Sequence, residues 1–403
     1  MWEGRSTPAA EGGSQVDVLI GGARVSADDA VFVELLDNSV VNARAAYRRA
    51  LATGEILYRD LLSLARTAHI PHPLFFAAPD VVHAQVQMKT EKLLQGVSPD
   101  TFTVNTRSMV KLRDVELIVK DLLRKQQFAR DHDPTLTRNK VLGVLRRPRP
   151  TVQEDAAVLA ETLGWTPGML TATRTKDAAL RALVDRIEAN QILVSQSVRG
   201  VMPQLLTVKF SGMTVRDTRV PFIFLAGGDH GDAQEPTGRQ IFTLTLMTVL
   251  IARGIFAPVT YDALSTAPDS RYEYDIAGEL LMPTADINGL PLDALGEVRA
   301  AADMFKVTPS ALTVRAMRAG LIPRDVALDW LEVLSAEFRS RPKPRPRSPK
   351  PVTAIRKYSG RSLTTRMLRA VDENRLSARE FCRVVGLNII DPTGIPELRA
   401  ALR

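Results

Sequence analysis

The segment Gly227-Gly-Asp-His-Gly-Asp-Ala-Gln-Glu235 is where histidine, carboxylates and glycines cluster in this chain. If Asp229, His230, Asp232 and Glu235 converged they would make a metal or acid–base site, and the glycines would let the backbone fold them together. Their spacing matches no known ligand pattern. The same residue types suit an exposed polar loop between a strand and a helix, and such a loop is expected. His69-Ile-Pro-His72 offers two imidazoles beside Phe75 and Phe76 but no third or fourth ligand, so packing and turn roles are expected there. The glycines form neither G-x-x-x-x-G-K-[ST] nor G-x-G-x-x-G after a strand. No G-x-S-x-G nucleophile elbow occurs, and Cys382 has no credible histidine partner. As the single cysteine of 403 residues, Cys382 excludes an internal disulfide or a multi-thiolate cluster. The five histidines all fall at or before His230, which restricts imidazole-ligated metal further. No cofactor is expected.

The elements that would position such residues are mostly helical. Ser26-Ala-Asp-Asp29 has the form of a capping box before a helix from Ala27 to Leu36. Helices are expected from Ser39 to Thr53, ended by Gly54, and from Glu55 to Ala68, with Ile70-Pro-His-Pro-Leu-Phe-Phe76 as a breaker. A long helix is expected from Arg107 to Ala129. Arg146-Arg-Pro-Arg-Pro150 interrupts, and Thr151-Val-Gln-Glu154 opens the next helix, with helical pattern continuing to Gln196. In Leu163-Gly-Trp-Thr-Pro167 and Phe305-Lys-Val-Thr-Pro309, threonine can cap a following helix and proline suits its first turn. The period then changes: Leu205 to Phe210 and Val220 to Ala226 are apolar, β-branched runs of strand length. Ile241 to Arg253 returns to helix and stops at Gly254. A mainly α protein with a small α+β core near residues 195–285 follows.

The length allows two or three domains at ~150 residues each. With 45% hydrophobic and 24% charged residues, the composition is that of a globular chain. The net charge is +8, yet residues 339–403 alone hold 16 Lys/Arg and 5 Asp/Glu, so the basic excess lies there. Arg341-Pro-Lys-Pro-Arg-Pro-Arg-Ser-Pro-Lys-Pro351 has five prolines and five basic residues in eleven positions, the pattern of an extended, solvated tether. Ser377-Ala-Arg-Glu380 caps a helix in the separate helical unit expected beyond it. The start of the sequence lacks the regions of a secretory signal, and Ile241 to Ala252 falls short of the ~20 residues a bilayer requires. A cytoplasmic chain with no membrane partner is expected.

Two further segments carry a family resemblance. Gln240-Ile-Phe-Thr-Leu244 and Gly278-Glu-Leu-Leu-Met-Pro283 resemble the ImmA/IrrE-like metallopeptidases, often fused to an XRE-type helix-turn-helix and found in phages, mobile elements and toxin–antitoxin loci. In that family a helix F-T-L-A-H-E-x-x-H precedes E-x-x-A-x-x-F-A-x-x-L-L-M-P and then A-x-x-F-x-V-S-x-x-A-L-x-x-R. The last element is similar to Ala302, Phe305, Val307, Ser310-Ala-Leu312 and Arg315, continued by Gly320-Leu-Ile322. Tyr47 to Gly54 and Leu61 to Phe76 look like the end of an XRE-type domain, and 360–402 like the helical tail of longer members. The resemblance covers roughly residues 27–76, 200–322 and 355–402. Small and polar composition marks a disordered leader (1–24) and the prolines a linker (339–351), while the resemblance implies a degenerate XRE-like helical domain (25–80), a degenerate zincin-like pseudo-peptidase domain (196–338) and a C-terminal helical domain (352–403), with a helical connecting region (81–195) between the first two.

The departures from the family decide the expected function. Leu246, Met247 and Leu250 stand where the family has His, Glu and His, and Ser270 falls near the third ligand. Without imidazoles zinc has no site, and without the glutamate no water is activated. The resemblance therefore implies a non-catalytic regulator or antitoxin-like protein, binding DNA or a protein partner such as a toxin or another regulator. Arg44, Arg48 and Arg49 share much of one helix face and are the candidates for reading bases. Arg341, Lys343, Arg345, Arg347 and Lys350 suit phosphate contact. Two alternatives stay open: a metallopeptidase with ligands relocated to Asp229, His230, Asp232 and Glu235, and a structural subunit of a phage or mobile-element assembly.

Overall fold

The computed structural model describes residues 15–36, 41, 44–68, 70–94, 115–198, 200–203, 206, 211–229, 235–256, 258–259, 272–340 and 349–402. Of the described residues, 60% are in helix and 10% in strand, so the fold is mainly α with small sheets. The chain divides into two compact units, residues 1–96 with 203–205, and 97–202 with 206–403.

The first unit opens with a hairpin, β1 (Gln15–Ile20) and β2 (Ala23–Asp28), paired from Gln15↔Asp28 to Ile20↔Ala23. Its two-residue turn is Gly21-Gly22, with φ of 55° and 90°, a conformation in which a Cβ would be strained. After α1 (Asp29–Leu36) and α2 (Ala45–Thr53), β3 (Glu55–Leu57) joins β1 in parallel and leads into α3 (Tyr58–Thr67). A 3-10 turn (His72–Phe76) and α4 (Pro79–Leu94) follow. The core gathers Val16, Val18, Phe32, Tyr47, Leu61, Leu64 and Phe75, with the Phe32 and Tyr47 rings stacked at 5.6 Å.

This overturns the expectation of a leader to residue 24 followed by an all-helical unit, because residues 15–28 form strands and Glu55–Leu57 a third. Val16 and Val18 alternate onto one buried face, a period of two that outweighs the helical reading of 27–36 at its start. Residues 1–14 lie outside the described residues.

In the second unit, α5 (Glu116–His132), α6 (Val152–Leu163) and α7 (Lys176–Ala189) lead into β4 (Leu193–Val198). Thr151 accepts a hydrogen bond from Glu154 N at 3.2 Å, the expected cap. The turn at 164–167 behaves differently from expectation. Gly164 (φ 63°) ends α6, and the next helix starts only at Lys176, capped by Thr175, which accepts from Ala178 N at 3.1 Å. The helical pattern expected to Gln196 also stops early, since Leu193–Val198 is a buried strand.

β5 (Gly212–Val215), β6 (Phe222–Asp229) and β7 (Pro258–Val259) complete a sheet of order β4-β6-β5-β7, with β4 and β6 parallel and the other pairs antiparallel. Most of the strand expected at 205–210 lies outside the described residues. α8 (Thr237–Arg253) packs on β5 and β6 and is flanked by α7 and α9 (Tyr272–Leu281). α10 (Thr284–Ile287), α11 (Leu295–Met304), α12 (Pro309–Arg318) and α13 (Arg324–Ser340) follow. Thr308 caps α12 through Ala311 N at 3.2 Å, with Pro309 in the first turn, as its sequence requires.

The C-terminal helices are α14 (Pro351–Tyr358), α15 (Arg361–Asp372), α16 (Ala378–Val384) and α17 (Ile395–Leu402). The sequence predicts a separate unit here, and the structure corrects this. α14 and α15 pack on β4, and α15 also meets α5 and α7, all within the second unit. The reason is the amphipathic α14, whose Val352, Ile355 and Tyr358 need a surface larger than four short helices provide.

Candidate functional site

α8 carries the positions on which the family resemblance turns. It ends where Gly254 takes φ 77°, and almost every residue from Gly238 to Ala252 is buried. Leu246, Met247 and Leu250 are 2%, 0% and 4% exposed and belong to the main apolar cluster of the unit. A helix buried all round must also hide its polar side chains. Thr245 Oγ1 donates to Ile241 O at 3.0 Å and Thr248 Oγ1 to Leu244 O at 2.8 Å, so both hydroxyls are satisfied by the helix itself. Met247 presses on β5 at Gly212, where a Cβ would lie 2.7 Å from its sulfur and 2.4 Å from Phe224 O. Strand and helix therefore meet with no space for water or ion between them at this point. Among the described residues, no group of three or more His, Cys, Asp or Glu side chains could hold a metal ion. Ser270 lies outside the described residues.

The two motif segments beyond α8 come together. Glu279 and Arg315 form a largely buried ion pair. Around it, Thr284 N and Oγ1 donate to the Glu279 carboxylate at 3.0 and 2.6 Å, and Arg315 Nη2 reaches Thr284 Oγ1 at 2.8 Å. Arg315 Nε donates to Met282 O at 3.4 Å, so one guanidinium holds the Leu-Leu-Met-Pro turn from both sides. Both carboxylate oxygens of Glu279 accept hydrogen bonds within this network, which makes it a brace of the turn.

The glycine-rich segment divides. Asp229 ends β6, and His230 and Asp232 lie outside the described residues. Glu235, expected in an exposed loop, is folded inward instead. Its Oε1 accepts from Ser211 Oγ at 3.0 Å, and its Oε2 is covered, 2.8 Å from where a Cβ on Gly227 would stand. Gln240 Nε2 donates to Gly227 O at 2.9 Å and Glu235 O at 2.8 Å, tying the segment to the first turn of α8. Burial pushes the Glu235 carboxyl above the usual carboxylate range, opposed by Arg239 and the Ser211 bond.

The basic candidates are placed as follows. Arg44 is the N-cap of α2, which begins at Ala45 and not at Ser39, while Arg48 and Arg49 sit one turn in. All three are exposed, and α2 has no acidic residue. Arg341, Lys343, Arg345 and Arg347 lie outside the described residues. Lys350 is the exposed N-cap of α14.

Sequence reasoning missed a cleft of about 530 Å³ where the first turns of α7, α8 and α12 meet α11 and α13. Gly238 makes the approach possible, since a Cβ there would be 2.7 Å from Val307 C. Its walls are ion pairs between helices, Lys176–Asp303 at 2.7 Å and Arg299–Glu337 at 2.6 Å, with Thr237 Oγ1 donating to Asp177 at 2.8 Å. Charges of both signs therefore already balance within it. The Thr-Pro step at 308–309 locates one of the three helix starts in the sequence, but nothing local announces that they converge. No family model, curated protein or solved structure matches this chain.

Proposed function

We propose that this chain is a non-catalytic regulator of the phage, mobile-element or toxin–antitoxin kind, in which a degenerate zincin-like domain serves as a scaffold for binding DNA or a partner protein. One observation carries the reading: the α8 positions that hold His, Glu and His in the resembling family are Leu246, Met247 and Leu250, packed into the apolar core. A zinc peptidase keeps an open coordination position for water beside its ligand helix, and the burial of Leu246, Met247 and Leu250 supports a reading without one. The exposed, acid-free arginine face of α2 supports DNA as one partner, through Arg44, Arg48 and Arg49.

Elemental analysis of protein purified without chelator, together with a peptidase assay, tests the scaffold reading. Zinc well below one per chain and no cleavage are expected. Stoichiometric zinc with proteolysis lost in His230→Ala would replace the proposal with a peptidase of relocated ligands.

A further inference from the structure

Among the described residues, the sheet of the second unit has an open side at β4, which is bonded to β6 alone. Leu193 N donates to Pro221 O at 2.9 Å, toward β6, so the alternation of a parallel ladder aims the N–H and C=O of Val194 at the open side. These groups need partners. The corner between α14 and α15 supplies the cover. Gly360 (φ 82°) lies so close that a Cβ would be 2.6 Å from Val194 O, and Ser195 Oγ donates to Tyr358 O at 2.6 Å.

The Val194 N–H meets a carboxyl. Glu188 Oε1 accepts from Val194 N at 3.5 Å, and Oε2 accepts from Ser362 N in the first turn of α15 at 3.0 Å. One buried side chain, 5% exposed, thus joins the strand edge to the C-terminal helices. We propose that the α14–α15 corner is a plug on the open edge of β4, and that ionisation of Glu188 lifts it. This goes beyond the regulatory reading and does not depend on it.

A carboxylate without water must be compensated by its neighbours. The charged groups acting on Glu188 are Asp185 of α7, which opposes ionisation, and Arg361 of α15, which favours it. Arg361 also lies 4.0 Å from Asp185, which divides its effect. Burial outweighs the two N–H donors and pushes the Glu188 carboxyl up to about 8. A raised acid binds its proton more tightly in the seated state. The stabilisation is therefore complete below its ordinary value of 4.5 and is lost as pH rises toward about 8. Water supplied by an open corner removes the penalty of the charge.

The second buried charge beneath the corner has the opposite sign of effect. Lys125 Nζ sits 2.8 Å from Asp121 Oδ2 and 4.0 Å from the Tyr358 ring, and burial pushes its ammonium down. Rising pH relieves that contact. Burial also pushes up the Tyr358 phenol of the corner, whose effect on release begins only above its ordinary value of 10.0, so release between about 6 and about 8 belongs to Glu188.

Hydrogen exchange of the full-length protein tests this, read by mass spectrometry on peptides spanning 193–198 and 351–372. Wild type and Glu188→Gln are compared at each pH from about 6 to about 9, so that intrinsic exchange cancels. Relative to the variant, opening of wild type should rise by up to roughly tenfold per pH unit until about 8 and then level off. A constant ratio across the range overturns the proposal. Should Glu188→Gln fail to fold, Gly360→Ala gives a second reading near pH 6, where its Cβ should hold the corner off Val194 O and raise exchange in 193–198. Unchanged protection there overturns the plug as well.

Discussion

Leu246, Met247 and Leu250 form part of a continuous apolar cluster, so any polar replacement is surrounded by apolar side chains. Placing the residues of the resembling family at these positions, through Leu246→His, Met247→Glu and Leu250→His, should therefore destabilise the fold. The cost is about 1–3 kcal/mol for each unsatisfied group. Chemical denaturation with and without added zinc measures it. A triple variant as stable as wild type would mean that the site is open and solvated. Met247 adds a further constraint, because its sulfur already fills the space that a Cβ on Gly212 would require.

At the scale of elements, the helix starts at Thr151, Thr308 and Ser377 agree with the sequence, and glycines set how near the helices come. Gly238 brings the first turn of α8 against Val307 and Thr308, and Gly238→Ala would put a Cβ 2.7 Å from backbone that cannot yield as a side chain does. Overpacking of this kind costs about 1–3 kcal/mol. Gly296, in the first turn of α11, faces open space, so Gly296→Ala should stabilise by about 0.4–1 kcal/mol by restricting the unfolded chain. Denaturant midpoints of the pair should move in opposite directions. Equal shifts would show that the close contact at Gly238 is absent in solution.

Local chemistry explains which elements are legible in the sequence. Thr151, Thr308 and Ser377 each bond the N–H three residues on, and Gly254 ends α8 where the apolar run stops. The hairpin at Gly21-Gly22 is equally local, but the capping pattern at Ser26 to Asp29 masks it. Other features have no local signature. The Arg315–Glu279 brace joins residues 36 apart, and Ser195 bonds to Tyr358 across 163. The burial of Glu235 depends on Ser211, a residue 24 positions earlier. Such pairings are set by tertiary packing, so a polar segment with the composition of a solvated loop can turn inward.

For the whole molecule, the distribution of charge bears most directly on partners. No helix among the described residues is long and apolar enough to cross a membrane. The basic excess of residues 339–403 is partly committed within the fold, where Arg366 pairs with Asp133 at 2.7 Å and Arg399 with Asp372 at 2.6 Å. The run from Arg341 to Lys350 contains five basic residues and no acid in its sequence, which suits phosphate more than base edges. Counterions released when such residues meet phosphate make affinity depend on salt without reporting sequence. Neutralising Arg341, Lys343, Arg345, Arg347 and Lys350 together should flatten the salt dependence of DNA binding by up to about 0.9 in logarithmic slope for each phosphate no longer neutralised. Any sequence preference should survive, because it belongs to Arg44, Arg48 and Arg49 in the proposed function. Fluorescence titrations of wild type and the neutralised variant, from low to physiological salt, measure both quantities. Identical slopes would make the run a spacer between Ser340 and α14 and would shift the expected partner from nucleic acid to protein.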